Sequence, residues 1–220
     1  MTTALDCAYY FAQRGMVEPR NTFDGNMKLQ KLLFFADMIS LAETGKPLFD
    51  DPVYAFDKGC VVESVRPMYK YKYDEFAKQA ESFDSDTLER VDRDVLDKTI
   101  GIFGNSSARD LSDACHHLSC WINAFERAKE SKRRRDSLIT VDAMRDDARM
   151  LAGFLEAYET AENENEKMSV EVINGISFYY DPEEITMDDE LREELIGYTE
   201  DGWTEPSYVV YKDDGELVVY

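Results

Sequence analysis

The chain has 220 residues, with 46 Asp and Glu against 25 Lys and Arg, a formal net charge of -21 and an apolar fraction of 44%. A chain this long removes roughly 70% of its extended surface from water, so its core needs neither disulfide nor metal; an aromatic fraction of 12% excludes a disordered acidic chain. Bulk affinity for phosphate backbones is also excluded, because binding by counterion release needs clustered cations, and nucleic acid is not expected as a partner.

The start, Met1 to Cys7, has no basic leader and carries Asp6, which argues against a secretory signal. No window of about 20 residues stays uncharged, so no membrane span or membrane partner is expected. Cys7, Cys60, Cys115 and Cys120 are too scattered for a disulfide framework and suit a reducing compartment. A cytoplasmic protein is expected.

The elements follow in chain order. Ala4, Cys7, Ala8 and Phe11 share one face of a first helix ending at Gly15, and Glu18-Pro19-Arg20 reads as a loop. From about Asn26 to Glu43, Leu29, Leu32, Leu33, Ala36 and Ile39 form a stripe that Phe35, Met38 and Ala42 widen, with Phe34 and Leu41 on the far side. A helix apolar around most of its circumference belongs in the middle of a bundle. Gly45-Lys46-Pro47 stops it. Pro52 to Val62 alternates and contains Gly59, which predicts an extended ribbon, and a helix follows from about Ser64 with Pro67 in its first turn. Val91, Val95, Leu96, Ile100 and Phe103 predict a helix closed by Gly104; Leu111, Cys115 and Leu118 predict the next, and Ile122 with Phe125 one more. Val141, Met144, Ala148, Leu151, Leu155 and Tyr158 keep a helical spacing behind an N-cap at Thr140.

A boundary falls at the acidic run Thr160 to Lys167. Beyond it, residues 163–220 hold 17 acids and 3 bases. Ser169–Ile173 and Ile176–Tyr180 flank Asn174-Gly175, a strong hairpin signal, and Tyr208–Tyr211 and Leu217–Tyr220 flank a second turn, Lys212 to Gly215. Met187 to Ile196 reads as a short acidic helix. The expected fold is therefore mainly α: a compact helical domain over residues 1–162, and an acidic extension over 168–220 whose two hairpins make a small antiparallel sheet.

Chemistry-bearing groups are few. Cys115-His116-His117 with Cys120 is the densest set of soft ligands, but no second cluster completes a four-ligand shell, and Cys115 also lies on the apolar stripe of its helix. No nucleotide, zinc-protease, serine-hydrolase or EF-hand motif occurs, so no cofactor, metal or catalytic residue is expected. Two basic clusters interrupt the negative background. Lys129 to Arg135 ends a helix whose dipole its cations complement. Tyr69-Lys70-Tyr71-Lys72-Tyr73 suits a protein contact rich in Tyr better than nucleic acid in so negative a chain. Lys31 falls inside the apolar sector of its helix and either snorkels out or pairs with a carboxylate.

Several short motifs occur in one order: Met27-Lys28-Leu29-Gln30-Lys31-Leu32-Leu33-Phe34-Phe35-Ala36, then Thr44-Gly45-Lys46-Pro47-Leu48-Phe49, then Asp57 to Val65 around Gly59, Phe103 to Ser112, and His117 with Trp121. Over roughly residues 5–130 the sequence resembles the Panacea domain, the family of SocA-like and phage-associated antitoxins. It departs from that family at Cys60 and Cys120, where Pro is usual, and at His116, where Thr is usual. The resemblance implies a helical antitoxin that neutralises a cognate toxin by direct protein contact, and in some members a proteolytic adaptor presenting the toxin to a cytosolic protease. A Cys/His hydrolase or metal-dependent enzyme is the competing class, and a homo-oligomer stays open. Lys28, Gln30, Lys31, Gly45, Lys46, Pro47, Gly59, His117 and Trp121 carry the family motif, Trp121 being expected to be buried near the Leu29/Leu33 helix. The contact candidates are Tyr69, Tyr71, Tyr73, Trp203, Tyr208, Tyr211 and Tyr220, the last four because large aromatics on an acidic tail suit an interface.

Overall fold

The computed structural model describes residues 2–18, 20–200, 207–213 and 216–219. Pro19, the turn residues Asp214 and Gly215, and the contact candidates Trp203 and Tyr220 lie outside the described residues, as does the side chain of Tyr158. The chain divides into two compact units, Met1–Phe154 and Leu155–Tyr220.

The first unit is built around one helix. α1 (Ala4–Gln13) starts at a reciprocal capping box between Thr3 and Asp6. α2 (Phe23–Thr44) starts behind Thr22, whose side chain accepts from the Gly25 N–H, and ends at Gly45 in the left-handed conformation. Its buried residues run through every position from Leu29 to Leu41, so the helix is enclosed on all sides, and each large apolar side chain among them contributes about 1.5–3 kcal/mol. α1, α3 (Val65–Tyr71), α5 (Arg90–Phe103) and α6 (Ala108–His116) pack around it, and α4 (Tyr73–Ser82) packs on α1. α7 (Ser119–Ser131) and the start of α8 (Val141–Lys167) complete this unit, with Thr140 capping α8 through the Ala143 N–H.

The predicted ribbon is the hairpin β1 (Val53–Phe56) and β2 (Gly59–Val62), in register Phe56↔Gly59 to Val53↔Val62. β3 (Leu138–Ile139), too short to leave an alternation in the sequence, pairs with β1 and makes the order β2-β1-β3. Val91 and Ile122 are exposed where the periodicity placed them in apolar stripes. Leu118 precedes α7 and does not continue α6, so the burying face of α7 is Cys120 and Ala124.

The second unit differs from expectation in one pairing. β4 (Ser169–Ile173) and β5 (Ile176–Tyr180) form a hairpin whose turn residues Asn174 and Gly175 both have positive φ, 52° and 84°. β6 (Ser207–Asp213) and β7 (Glu216–Val219) are antiparallel as well. However, β5 and β6 run parallel, Phe178 opposite Tyr208, because α9 (Asp189–Glu200) lies in the connection and returns the chain to the same end of the sheet. One mixed four-stranded sheet results, ordered β4-β5-β6-β7. Its core is Ile173, Phe178, Ile185, Leu195 and Val210. The run Thr160 to Lys167, read as a boundary, is helical and completes α8. Among the described residues no helix is long and apolar enough to cross a membrane.

Candidate functional site

The motif residues are used inside the fold. β2 is an edge strand, and the hairpin register turns the backbone groups of Cys60 and Val62 away from β1. Buried edge groups must find partners. Gln30 supplies an acceptor, its Oε1 taking the Val62 N–H at 2.8 Å, and Lys31 supplies a donor, its Nζ reaching the Cys60 carbonyl at 2.9 Å. Lys31 is 1% exposed, so it neither snorkels nor meets a carboxylate; the unsatisfied carbonyl of the edge strand is what holds it there. Burial lowers its pKa from the ordinary lysine range. Lys28 leaves α2 in another direction and donates to the Gly104 carbonyl at 2.6 Å, at the end of α5. Gly59, at φ +91°, is required by the same packing: a Cβ there would lie 2.8 Å from Lys31 Cε and 3.0 Å from Cys115 Cβ.

The turn after α2 is held equally closely. Asp37 Oδ1 accepts the Leu48 N–H at 2.8 Å, and Ser40 Oγ donates to the Lys46 carbonyl at 3.0 Å. Gly45 supplies the left-handed cap, Lys46 is exposed, and Pro47 is half-buried. Burial raises the Asp37 carboxyl to about 7 against the opposing pull of the Leu48 and Phe49 N–H groups.

The cysteines and histidines are engaged separately. Cys60 and Cys115 are buried and hydrogen-bonded to each other, and burial pushes the Cys60 thiol well up. Cys120 sits beside Asp147; burial and that carboxylate push its thiol far above the ordinary range, which disfavours a nucleophile. Asp147, unremarked in the sequence, accepts the Ser119 and Cys120 N–H groups at 3.1 and 2.7 Å and so caps α7 from α8. The His116 ring lies 4.3 Å from that of Trp121, its Nε2 without a hydrogen-bond partner among the described residues. His117 Nδ1 donates to the Asp113 carbonyl at 2.8 Å at the end of α6. Trp121, expected to be buried, is half-buried; its indole N–H donates to the Phe56 carbonyl at 3.1 Å, and its ring stacks on Phe125 at 4.7 Å. Among the described residues no group of three or more His, Cys, Asp or Glu could hold a metal.

Residues 29–122 match the family model described as antitoxin SocA-like, Panacea domain. Over that segment the chain is similar to the Panacea family. No curated protein and no solved structure matches the chain. Within this segment the polar residues of the motifs hold α2 to the hairpin, to α5 and to its own following turn.

The tyrosine candidates separate by burial. Tyr69 is fully buried, its ring against Tyr73 at 5.0 Å and Phe76 at 5.5 Å, and so presents no surface to a partner. Helical spacing turns Tyr69 inward and leaves Tyr71 72% exposed, with Lys70 over its ring. Tyr73 is half-buried and its hydroxyl donates to the Glu18 carbonyl at 2.6 Å. In the second unit Tyr208 stacks on the core Phe178, whereas Tyr211 belongs to the opposite sheet face with the exposed Val170, Val172 and Tyr179. The two valines escaped notice in the sequence, although their alternation against Ile173 was the available signal.

One cleft of about 820 Å³ opens in the first unit, among the start of α2, the β1–β2 hairpin, α3 and the end of α7. Its apolar floor includes Met27, Ala55, Phe56, Val61, Phe125 and Ala128. The two basic clusters, some sixty residues apart in the chain, both line it: Lys70 from one, and Lys129 with Lys132 to Arg134 from the other. Periodicity along one element carries no sign of such a convergence.

Proposed function

We propose that this protein is the antitoxin of a toxin–antitoxin pair, working in the cytoplasm by binding a cognate toxin protein directly and without catalysis. The observation that carries this reading is the match of residues 29–122 to the SocA-like antitoxin family. It is supported by the engagement of the motif lysine, glutamine and glycine residues in the scaffold, which leaves the surface to do the work. We assign residues 168–220 as an extension that shares in the contact. Its exposed sheet face combines Val170, Val172 and Tyr179 with an acidic background, a composition suited to a basic toxin surface.

Co-expression with the toxic product of the adjacent reading frame tests the proposal. Growth is restored by the full chain, and the two proteins co-purify. Replacing Val170 and Val172 together by Asp lowers rescue while the unfolding midpoint holds. A full chain that restores no growth and captures no toxin ends the antitoxin reading; full rescue by the double variant removes the sheet face alone.

A further inference from the structure

The cleft of the first unit runs against the charge of the molecule. Its lining holds eight of the 25 Lys and Arg but only one, Asp57, of the 46 Asp and Glu. A helix dipole accounts for the cations at the end of α7 and for Lys70 in the last turn of α3, but not for Lys58 or Arg66. Here Lys58 comes from the hairpin turn, Arg66 and Lys70 come from α3, and Arg133 follows α7. Three parts of the chain thus turn cations onto one apolar floor.

Part of this charge is already committed. Arg66 and Arg134 both reach Glu63, and both guanidiniums lie over the Phe56 ring, 5.7 and 4.9 Å from its centroid. Lys129 pairs with Glu126. Lys58, Lys70, Lys132 and Arg133 have no carboxylate partner among the described residues. Glu63, outside the lining, shows what these arginines pair with: a carboxylate held by two guanidiniums beside an aromatic ring.

We propose that this cleft is a docking groove for an acidic peptide segment of the toxin that carries an aromatic or aliphatic anchor, its carboxylates meeting Lys58, Lys70, Lys132 and Arg133 and its anchor lying on Phe56 and Phe125. The inference rests on the antitoxin reading for the source of the segment. The volume is that of a small-ligand pocket and admits one or two side chains. Nucleic acid fits less well. A long polyanion would meet the -21 field along its whole length, whereas a short segment meets the groove alone. The groove also complements the acidic extension in function: the two surfaces select opposite charges on one partner.

The test is fluorescence anisotropy with the full chain and a fluorescein-labelled peptide in which glutamates flank a Leu-Phe pair. The same peptide with lysines for glutamates, and an oligouridylate of similar length, serve as the comparison probes. The acidic peptide binds best, its affinity falls as salt is added, and Lys58→Glu and Arg133→Glu each weaken it by roughly three- to tenfold with an unchanged unfolding midpoint. Should either reversal unfold the chain, Lys58→Gln and Arg133→Gln replace it. Equal binding of the lysine peptide, tighter binding of the oligouridylate, or indifference to both substitutions overturns the proposal. Growth rescue keeps the two readings apart: a toxin neutralised equally well by wild type and by the Lys58→Glu, Arg133→Glu double variant removes the groove and spares the antitoxin, while failure of the wild type with every adjacent gene product removes the antitoxin and leaves peptide binding as measured.

Discussion

Asp37 illustrates how a single side chain ties sequence to stability. It is 3% exposed in the middle of α2, faces the turn after that helix, and has Asp50 and Asp51 near enough to oppose its ionisation. Its carboxyl is raised to about 7, whereas in the unfolded chain it ionises near about 3.9. Between those values the folded chain holds a proton that the unfolded chain has lost, so this group's contribution to stability grows as pH falls from about 7 toward about 4 and is lost as pH rises through that window. Asp37→Asn keeps an acceptor for the Leu48 N–H and has no such proton. Urea unfolding across the window measures the difference: relative to wild type the variant gains stability with rising pH, by at most about 1.4 kcal/mol per pH unit, and the gain levels off above about 7. A constant difference refutes the assignment. Residues of this kind were only half legible. The helical wheel marks Lys31 as anomalous because a cation in an apolar sector needs a reason, but the reason is a carbonyl on an edge strand 29 positions away, which no local pattern contains.

At the scale of elements, periodicity and capping chemistry account for most of what was readable. α2 was legible because its apolar residues occupy the whole circumference, and the Asn174-Gly175 hairpin because both positions need positive φ. β3 and the inward turn of Tyr69 were not, since a two-residue strand and the face of a short helix depend on what they meet. Asp147 belongs to the same class. It satisfies two N–H groups at the start of α7 although it lies on α8, so the cap spans 27 and 28 residues of sequence. Asp147→Ala leaves the buried Cys120 N–H and the part-buried Ser119 N–H without that partner and lowers the unfolding free energy by about 2–3 kcal/mol, measured by urea titration with an unchanged slope. A loss below about 0.5 kcal/mol would mean that water replaces the carboxylate.

Over the whole molecule the uneven charge is the dominant electrostatic fact. Residues 163–220 carry 17 acids and 3 bases, so self-repulsion opposes the folded state. Screening shortens from about 30 Å at 0.01 M salt to about 8 Å at 0.15 M, and the thermal midpoint of the full chain is expected to rise over that interval. A falling midpoint would mean that attractive ion pairs outweigh the repulsion. The parallel pairing of β5 with β6 has a consequence for anyone shortening the chain. β6 covers the inner margin of the first hairpin, and it is delivered only after α9 has been made. Ending translation behind that helix strips Ile176–Tyr180 of its neighbour and offers an uncapped aromatic-rich ribbon to any similar ribbon nearby, so tags and stop codons placed there invite inclusion bodies.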